Sequence, residues 1–308
     1  MTSRHWLRRL ALNEDLNFLL TNRVPRIALT HFMGWFSRLR HRGVLKASLA
    51  VWRLFTDLDL SDAQPTRYTC LHDVFTRALR PGARPLDPDP QGLVSPCDGI
   101  VGAHGRIGDA GDATGGGPQI FQAKGFPYRL ADLLGDDAAG QALARRLQGG
   151  TYVTLRLTSA MYHRIHAPAD ARLRQVTYLS GDTWNVNPIA LKRVERLFCR
   201  NERAVLHLEL ADGTPLLLVP VAAILVASLR LHAIDVPLNL RYRGAHQLPC
   251  DQAYRRGDEL GWFEHGSTVI VLAPPGWASV PGLGTGQALR MGQALLRRAC
   301  HEDVTHSS

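Results

Sequence analysis

Four short polar islands carry the side chains that could do chemistry: Ser95-Pro-Cys-Asp-Gly99, Tyr162-His-Arg-Ile-His-Ala-Pro168, Asn201-Glu-Arg203 and Gly266-Ser-Thr268. Each has a plain structural reading. Asp98-Gly99 suits a turn, the two histidines can be core residues, Asn201-Glu-Arg203 can open a strand with Glu202 paired to an arginine, and Gly266-Ser267 can be a turn before a strand. Taken together they supply Asp98, a histidine and Ser267, the three members of a relay. In such a relay the imidazole takes the hydroxyl proton and the carboxylate orients the imidazole. What the relay attacks stays open at this level. A hydrolase usually shows its serine in a Gly-x-Ser-x-Gly elbow. Ser267 is followed by Thr-Val-Ile-Val-Leu272, which suits a strand.

These islands sit in a β-patterned body. Thr151–Leu157, Ala204–Leu210 and Thr268–Leu272 alternate or run apolar as strands do, and Asp212-Gly213 predicts a hairpin turn. The apolar run Leu216–Leu229 is broken by Pro220 and reads as a buried strand pair. Leu130–Leu147 predicts a helix interrupted at Gly135 and Gly140, and the glycine-rich 108–117 a surface loop. The four prolines of 81–90 exclude a helix or central strand and link this body to a helical N-terminus.

Residues 6–60 read as helical, with a first apolar helix around Trp6–Leu20, an aromatic cluster at Phe32–Phe36, and a helix through Val44–Phe55. On the last, Arg42, Lys46 and Arg53 share one face, and Leu45, Ser48, Trp52 and Phe55 a neighbouring one. The chain carries 36 basic and 27 acidic residues, a net +9. Residues 1–53 hold ten basic residues and only Glu14 and Asp15 as acids, so +8 of that charge lies there. A uniformly basic nucleic-acid binder would look different, and no nucleic-acid partner is expected. Basic residues beside Trp and Phe suit helices lying on an anionic membrane. An apolar share of 45% with 20% charged residues excludes a mostly disordered chain. Five scattered cysteines argue against a disulfide framework or zinc site, and no metal is expected. No run reaches the roughly 20 apolar residues of a membrane span, and no signal-peptide pattern opens the chain.

The four islands, in this order, resemble the phosphatidylserine decarboxylases, which are pyruvoyl-dependent membrane enzymes. The likeness also takes in Phe121-Gln-Ala-Lys-Gly125, Gly181-Asp182 with Asn185-Val-Asn187, and Leu197-Phe198, and covers roughly residues 65–292. It implies an α+β fold: a β-rich catalytic core of mainly antiparallel sheets, with N-terminal amphipathic membrane-associating helices. It implies a basic helical segment over 1–64 and a catalytic domain over 65–308. His166 then resembles the general base, held by Asp98, that deprotonates Ser267 for attack on the Gly266 carbonyl. The resulting ester eliminates, the chain divides into a β subunit (1–266) and an α subunit (267–308), and Ser267 becomes a pyruvoyl cofactor with loss of ammonia. The headgroup amine of phosphatidylserine would form a Schiff base there and lose CO2, giving phosphatidylethanolamine. His163 matches the histidine of the decarboxylation step. A peripheral enzyme on the cytoplasmic face of the inner membrane, with a homodimer as a family-level expectation, completes the picture. Departures are His265 before Gly266, where an apolar residue is usual, and Pro220, which predicts an edge or a bulge. The competing readings are an unprocessed Ser/His/Asp lipid hydrolase and a non-catalytic membrane-binding relative.

Overall fold

The structure, a computed structural model, describes residues 14–15, 18, 24–108, 118–121, 126–225, 228–264 and 267–299, with only the backbone for Phe121 and Ser267. Helices α1 (Arg26–Phe36), α2 (Arg42–Phe55) and the short α3 (Leu71–Phe75) come first. Strands β1 (Leu93–Val94), β2 (Gly99–Arg106), β3 (Gln119–Phe121) and β4 (Pro127–Arg129) follow. Then come α4 (Leu130–Leu134), α5 (Ala138–Arg146), β5 (Thr151–Arg156), β6 (Arg164–His166) and β7 (Ala171–Leu179). After α6 (Pro188–Arg193) and α7 (Leu197–Arg200) the chain is extended: β8 (Arg203–Leu210), β9 (Pro215–Ala222), β10 (Ser228–Leu231), β11 (Leu238–Asn239) and β12 (Gln247–Tyr254). It ends with β13 (Glu259–Phe263), β14 (Ser267–Ala273), β15 (Trp277–Ser279), β16 (Ala288–Leu289) and β17 (Ala294–Arg298).

The main sheet has eight strands in the order β12-β7-β8-β9-β14-β5-β2-β16, and every described pairing within it is antiparallel. A second sheet runs β11-β10-β13-β6, and a third β1-β17-β15. The fold is therefore the β-rich α+β architecture that the resemblance implies. The central strands are apolar on both faces because both faces are covered. Along β9, Leu216 and Leu218 enter one core cluster, and Leu217, Val219 and Val221 the other. Strand β14 alternates the same way, with Val269 and Val271 on one side and Ile270 and Leu272 on the other. This is the twofold side-chain period of a strand buried between two layers.

Local chemistry explains the boundaries. The 130–147 segment is two helices, because Gly135 adopts φ +107, which a helix cannot continue through. Asp137 caps the second, accepting from the Gly140 amide at 2.7 Å. Gly213, at φ +78, turns the β8–β9 hairpin. Pro220 marks neither an edge nor a described bulge. It lies in β9 at the sheet centre, paired with Val269 of β14. On the β8 side the register resumes at Arg203↔Val221 and Leu206↔Leu218, so the missing N–H falls on that side of the strand. Cys70, Cys97, Cys199 and Cys250 are free thiols. The proposed first helix (Trp6–Leu20) and the 109–117 loop lie outside the described residues, apart from Glu14, Asp15 and Phe18.

Candidate active site

The polar islands converge at one end of the main sheet. Arg156, the last residue of β5, faces Ile100 of β2 on one side and Thr268 of β14 on the other. Neighbouring strands lie about 4.8 Å apart, so Asp98, two residues before Ile100, and Ser267, one before Thr268, emerge at the same end, roughly two strand spacings apart. His166 joins them through the backbone: its amide donates to the Pro96 carbonyl at 2.7 Å. His163 is tied to the strand leading toward Ser267, since the Phe263 amide donates to the His163 carbonyl at 3.0 Å. The Ser267 backbone opens β14 opposite Ala222. Gly266 and His265, and the Ser267 side chain, lie outside the described residues.

Both imidazoles are neutral and fixed in tautomer. His166 Nδ1 lies 2.8 Å from the Gly257 carbonyl, which can only accept, so Nδ1 carries the hydrogen. Its Nε2 then accepts from the Tyr162 hydroxyl at 2.9 Å. Burial lowers the His166 pKa, with the Gly257 bond partly opposing it. His163 donates Nδ1–H to the Met161 carbonyl at 2.8 Å, and its buried Nε2 has no partner among the described residues. Burial pushes His163 down to about 3. Tyr162 is pushed well above the usual phenol range by burial, so it stays a donor.

The expected bond between Asp98 and His166 is not formed. The two Asp98 oxygens accept from Arg84 Nε (2.9 Å) and Nη2 (2.6 Å), and Oδ1 also accepts from the Met291 amide at 2.9 Å. A forked guanidinium outcompetes a neutral imidazole N–H for a carboxylate, and the Gly257 carbonyl already serves Nδ1. Arg84 is itself steadied by Asp62 at 2.9 Å. Asp98 therefore pins the β2 entry to the Met291 turn, and its effect on His166 is through space.

The Asn201-Glu-Arg203 island is scaffold around this end of the sheet. Asn201 donates to the carbonyls of Trp184 and Ala222, both at 2.8 Å, and so fixes the residue opposite Ser267. Glu202 is not paired to an arginine. It accepts from the Tyr178 hydroxyl, and burial raises its pKa to about 7. Arg203 caps backbone carbonyls, among them Leu133 at 2.8 Å and Asp132 at 2.7 Å. Glu264, three residues before Ser267, is held by Arg38 of the N-terminal region at 2.7 Å, with His72 at 3.7 Å and Arg230 at 3.9 Å.

Beside this cluster opens a cavity of about 750 Å³. Its walls come from α1 (Met33, Phe36), α2 (Ser48, Trp52), Phe75 of α3, and the strand ends at Arg156, Leu157 and Ala223. His163 is not a wall residue. The Phe75 ring packs on its imidazole at 4.1 Å and stacks on Trp52 at 6.0 Å, linking the histidine to the N-terminal helices. Sequence reasoning gave Arg84, Tyr162, Arg156 and Glu264 no role. Tyr162 lay inside a quoted island. The other three are brought in by tertiary contacts that no local pattern signals.

A scaffold that buries two neutral imidazoles and a carboxylate beside a mostly apolar cavity defines an acid–base enzyme with room for an amphiphile. The family model for phosphatidylserine decarboxylase matches residues 71–297. Three bacterial proteins named phosphatidylserine decarboxylase proenzyme are similar along nearly their whole length. The one from Methylibium petroleiphilum is 39% identical over 92% of this chain and 98% of its own. The Brevibacillus brevis protein is 35% identical over 90% and 95%, and that of Chromobacterium violaceum 36% over 92% and 99%. The chain belongs to the phosphatidylserine decarboxylase family.

Proposed function

We propose that this protein decarboxylates phosphatidylserine to phosphatidylethanolamine, using a pyruvoyl group that it makes from its own Ser267. The observation that carries the reading is the meeting of the Ser267 strand start, two buried neutral histidines and a lipid-sized cavity at one end of one sheet. The residues present fit such a group: the buried Thr268 Oγ1, one residue into the strand, and the buried His163 Nε2 both lack partners among the described residues. A pyruvoyl carbonyl supplies an electrophile for the headgroup amine and a sink for the electron pair left by departing CO2.

The chain's own residues do the rest. In self-division His166, whose Nε2 is the unprotonated nitrogen, takes the Ser267 hydroxyl proton as oxygen attacks the Gly266 carbonyl. The peptide becomes an ester. Elimination removes the Ser267 Cα proton and breaks the Cβ–O bond of the ester, so Gly266 leaves as a carboxylate, and water then replaces the nitrogen of the new terminal enamine, which departs as ammonia. Tyr162 moves with this step, since it must release Nε2 before that atom can accept. Asp98 and Arg84 hold the loop that carries the His166 amide contact. In decarboxylation His163 Nε2 is the free site that can take up and return a proton. Its dry pocket keeps it neutral at rest, so it must be charged within the cycle before it donates.

Peripheral attachment through the N-terminal helices is part of the same reading. Ile27, Phe32 and Trp35 of α1 and Val51, Leu54 and Phe55 of α2 are 49–62% exposed. Arg40, Arg42, Lys46 and Arg53 are exposed nearby. Each basic residue near an anionic surface contributes about 1 kcal/mol. Trp52 and Ser48 of the expected α2 face turn to the cavity, while Phe55 is open to the surroundings. Among the described residues no helix is long and apolar enough to cross a membrane. The test is turnover of phosphatidylserine vesicles: the wild type releases CO2 and phosphatidylethanolamine, and Ser267→Ala releases neither. Fatty-acid release from the wild type would instead favour a lipid hydrolase.

A further inference from the structure

A half-buried cation of this site has no side-chain partner among the described residues. Arg156 closes β5, lines the cavity, and is half-buried. Its side chain forms no hydrogen bond or ion pair with any described residue, although Arg38, Arg84 and Arg164 of the surrounding elements each pair with a carboxylate. Burial alone lowers its pKa, so no carboxylate stands close enough to compensate. A guanidinium facing a largely apolar cavity without a counter-ion is costly unless an anion arrives. Much of the rest of the wall is apolar, from Met33, Phe36, Val51 and Trp52 on the helices to Leu157 and Ala223 on the sheet, with Ser48, Thr158, Ser159, Asn185 and Asn187 as its neutral polar members. Val51 is 55% exposed, so this wall runs out onto the open apolar face of α2.

We infer that Arg156 is the phosphodiester-binding residue of the lipid site, receiving the headgroup phosphate while the acyl chains leave along the α1–α2 wall. This rests on the decarboxylase reading above. Register supports it: Arg156 is the cross-strand partner of Thr268, one residue from Ser267. Facing residues of an antiparallel pair project to the same side, so Arg156 leaves the sheet on the same face as Thr268, whose buried hydroxyl has no partner among the described residues. In a phosphoserine headgroup only a short link separates the reacting amine from the phosphate. An anchor on the strand next to the reacting residue matches that reach.

The headgroup offers two anions, a carboxylate and a phosphodiester, and the chemistry separates them. The carboxylate must lose its charge as CO2 departs. A strong ion pair to it would stabilise the ground state more than the transition state and slow the reaction. The phosphodiester is the same in substrate, transition state and product, so pairing to it holds the lipid in place without opposing the chemical step. Arg156 therefore sets affinity for any glycerophospholipid bearing this phosphate, and its removal is read in KM and in inhibition by product.

The experiment compares wild type, Arg156→Gln and Arg156→Lys as self-divided proteins, in detergent micelles of dioctanoyl phosphatidylserine. Dioctanoyl phosphatidylethanolamine and dioctanoylglycerol serve as added inhibitors. Loss of a charged hydrogen bond predicts about ten-fold or more rise in KM for Arg156→Gln. The same factor should weaken inhibition by phosphatidylethanolamine, while inhibition by the phosphate-free diacylglycerol shifts far less. Arg156→Lys, which keeps the charge without the fork, should fall between and guards against a folding defect in Gln. A KM rise with product inhibition untouched would assign Arg156 to the carboxylate and overturn the inference. Equal weakening of all three ligands would overturn it too, by making Arg156 a packing residue. A wild type that forms no phosphatidylethanolamine would instead refute the decarboxylase reading itself.

Discussion

The Arg84–Asp98 pair invites the sharpest perturbation. Both side chains are about nine-tenths buried, at 9% and 10% exposure, and the contact is a two-pronged fork. Arg84→Met removes the fork but leaves the Asp98 carboxylate in place, with only the Met291 amide donating to it. Breaking a buried pair from one side costs about 3–5 kcal/mol, because the surviving charge is stranded. Asp98→Asn strands Arg84 less, since Asp62 still accepts from it. The double variant strands neither charge. It should be more stable than the sum of the two single losses by at least about 2 kcal/mol. The assay is urea unfolding in a Ser267→Ala background, which keeps the chain whole, with all four combinations of the cycle. In the Ser267 background, self-division should slow in Arg84→Met, because the Pro96–Asp98 loop that meets His166 is then loose. Additivity within about 0.5 kcal/mol would refute the reasoning, since it would mean the fork carries no coupling.

Three further outcomes follow from the same geometry. His163 is neutral in the fold with its pKa at about 3, while an unfolded histidine titrates near 6.5, so the unfolded chain binds the extra proton and stability falls as pH drops between those values. The stability difference between wild type and His163→Gln should therefore change by up to about 1.4 kcal/mol per pH unit below 6.5, and parallel curves would sink the assignment. Exchanging Phe32, Trp35 and Phe55 for Asp removes apolar side chains worth about 1 kcal/mol or more each on half-burial; co-sedimentation with phosphatidylserine vesicles should drop at least ten-fold, and unchanged binding would remove α1 and α2 from the contact. Glu264→Ala frees the residue that Arg38 holds three positions before Ser267; self-division should slow while Glu264→Gln, which still accepts from Arg38, retains more of the rate.

Much of the fold was readable because strand periodicity is local. The β5, β8, β9 and β14 segments were visible as alternating or continuous apolar runs, and the hairpin at Asp212-Gly213 as a turn pair. Pro220 misled because proline removes only one N–H, and a central strand tolerates that on one side. The helix break at Gly135 was visible as a glycine, but its positive φ was not. The islands themselves were legible as a set, and the structure gathers Asp98, His163, His166 and the Ser267 backbone at one sheet end. Their bonding was not legible. Whether Asp98 meets His166 or Arg84 depends on where the 81–90 linker folds, and Gly257 enters from ninety-one residues away. Arg156 was hidden for the opposite reason. It is a lone arginine in a chain rich in them, and its meaning lies in having no partner among the described residues.

Whether the chain cuts itself before Ser267 is read from the intact mass of the purified wild type. Self-cleavage gives two fragments, residues 1–266 and 267–308, with the second lighter by one ammonia than a serine-started peptide and shifted by borohydride. A single full-length mass that persists in wild type as it does in Ser267→Ala would contradict it.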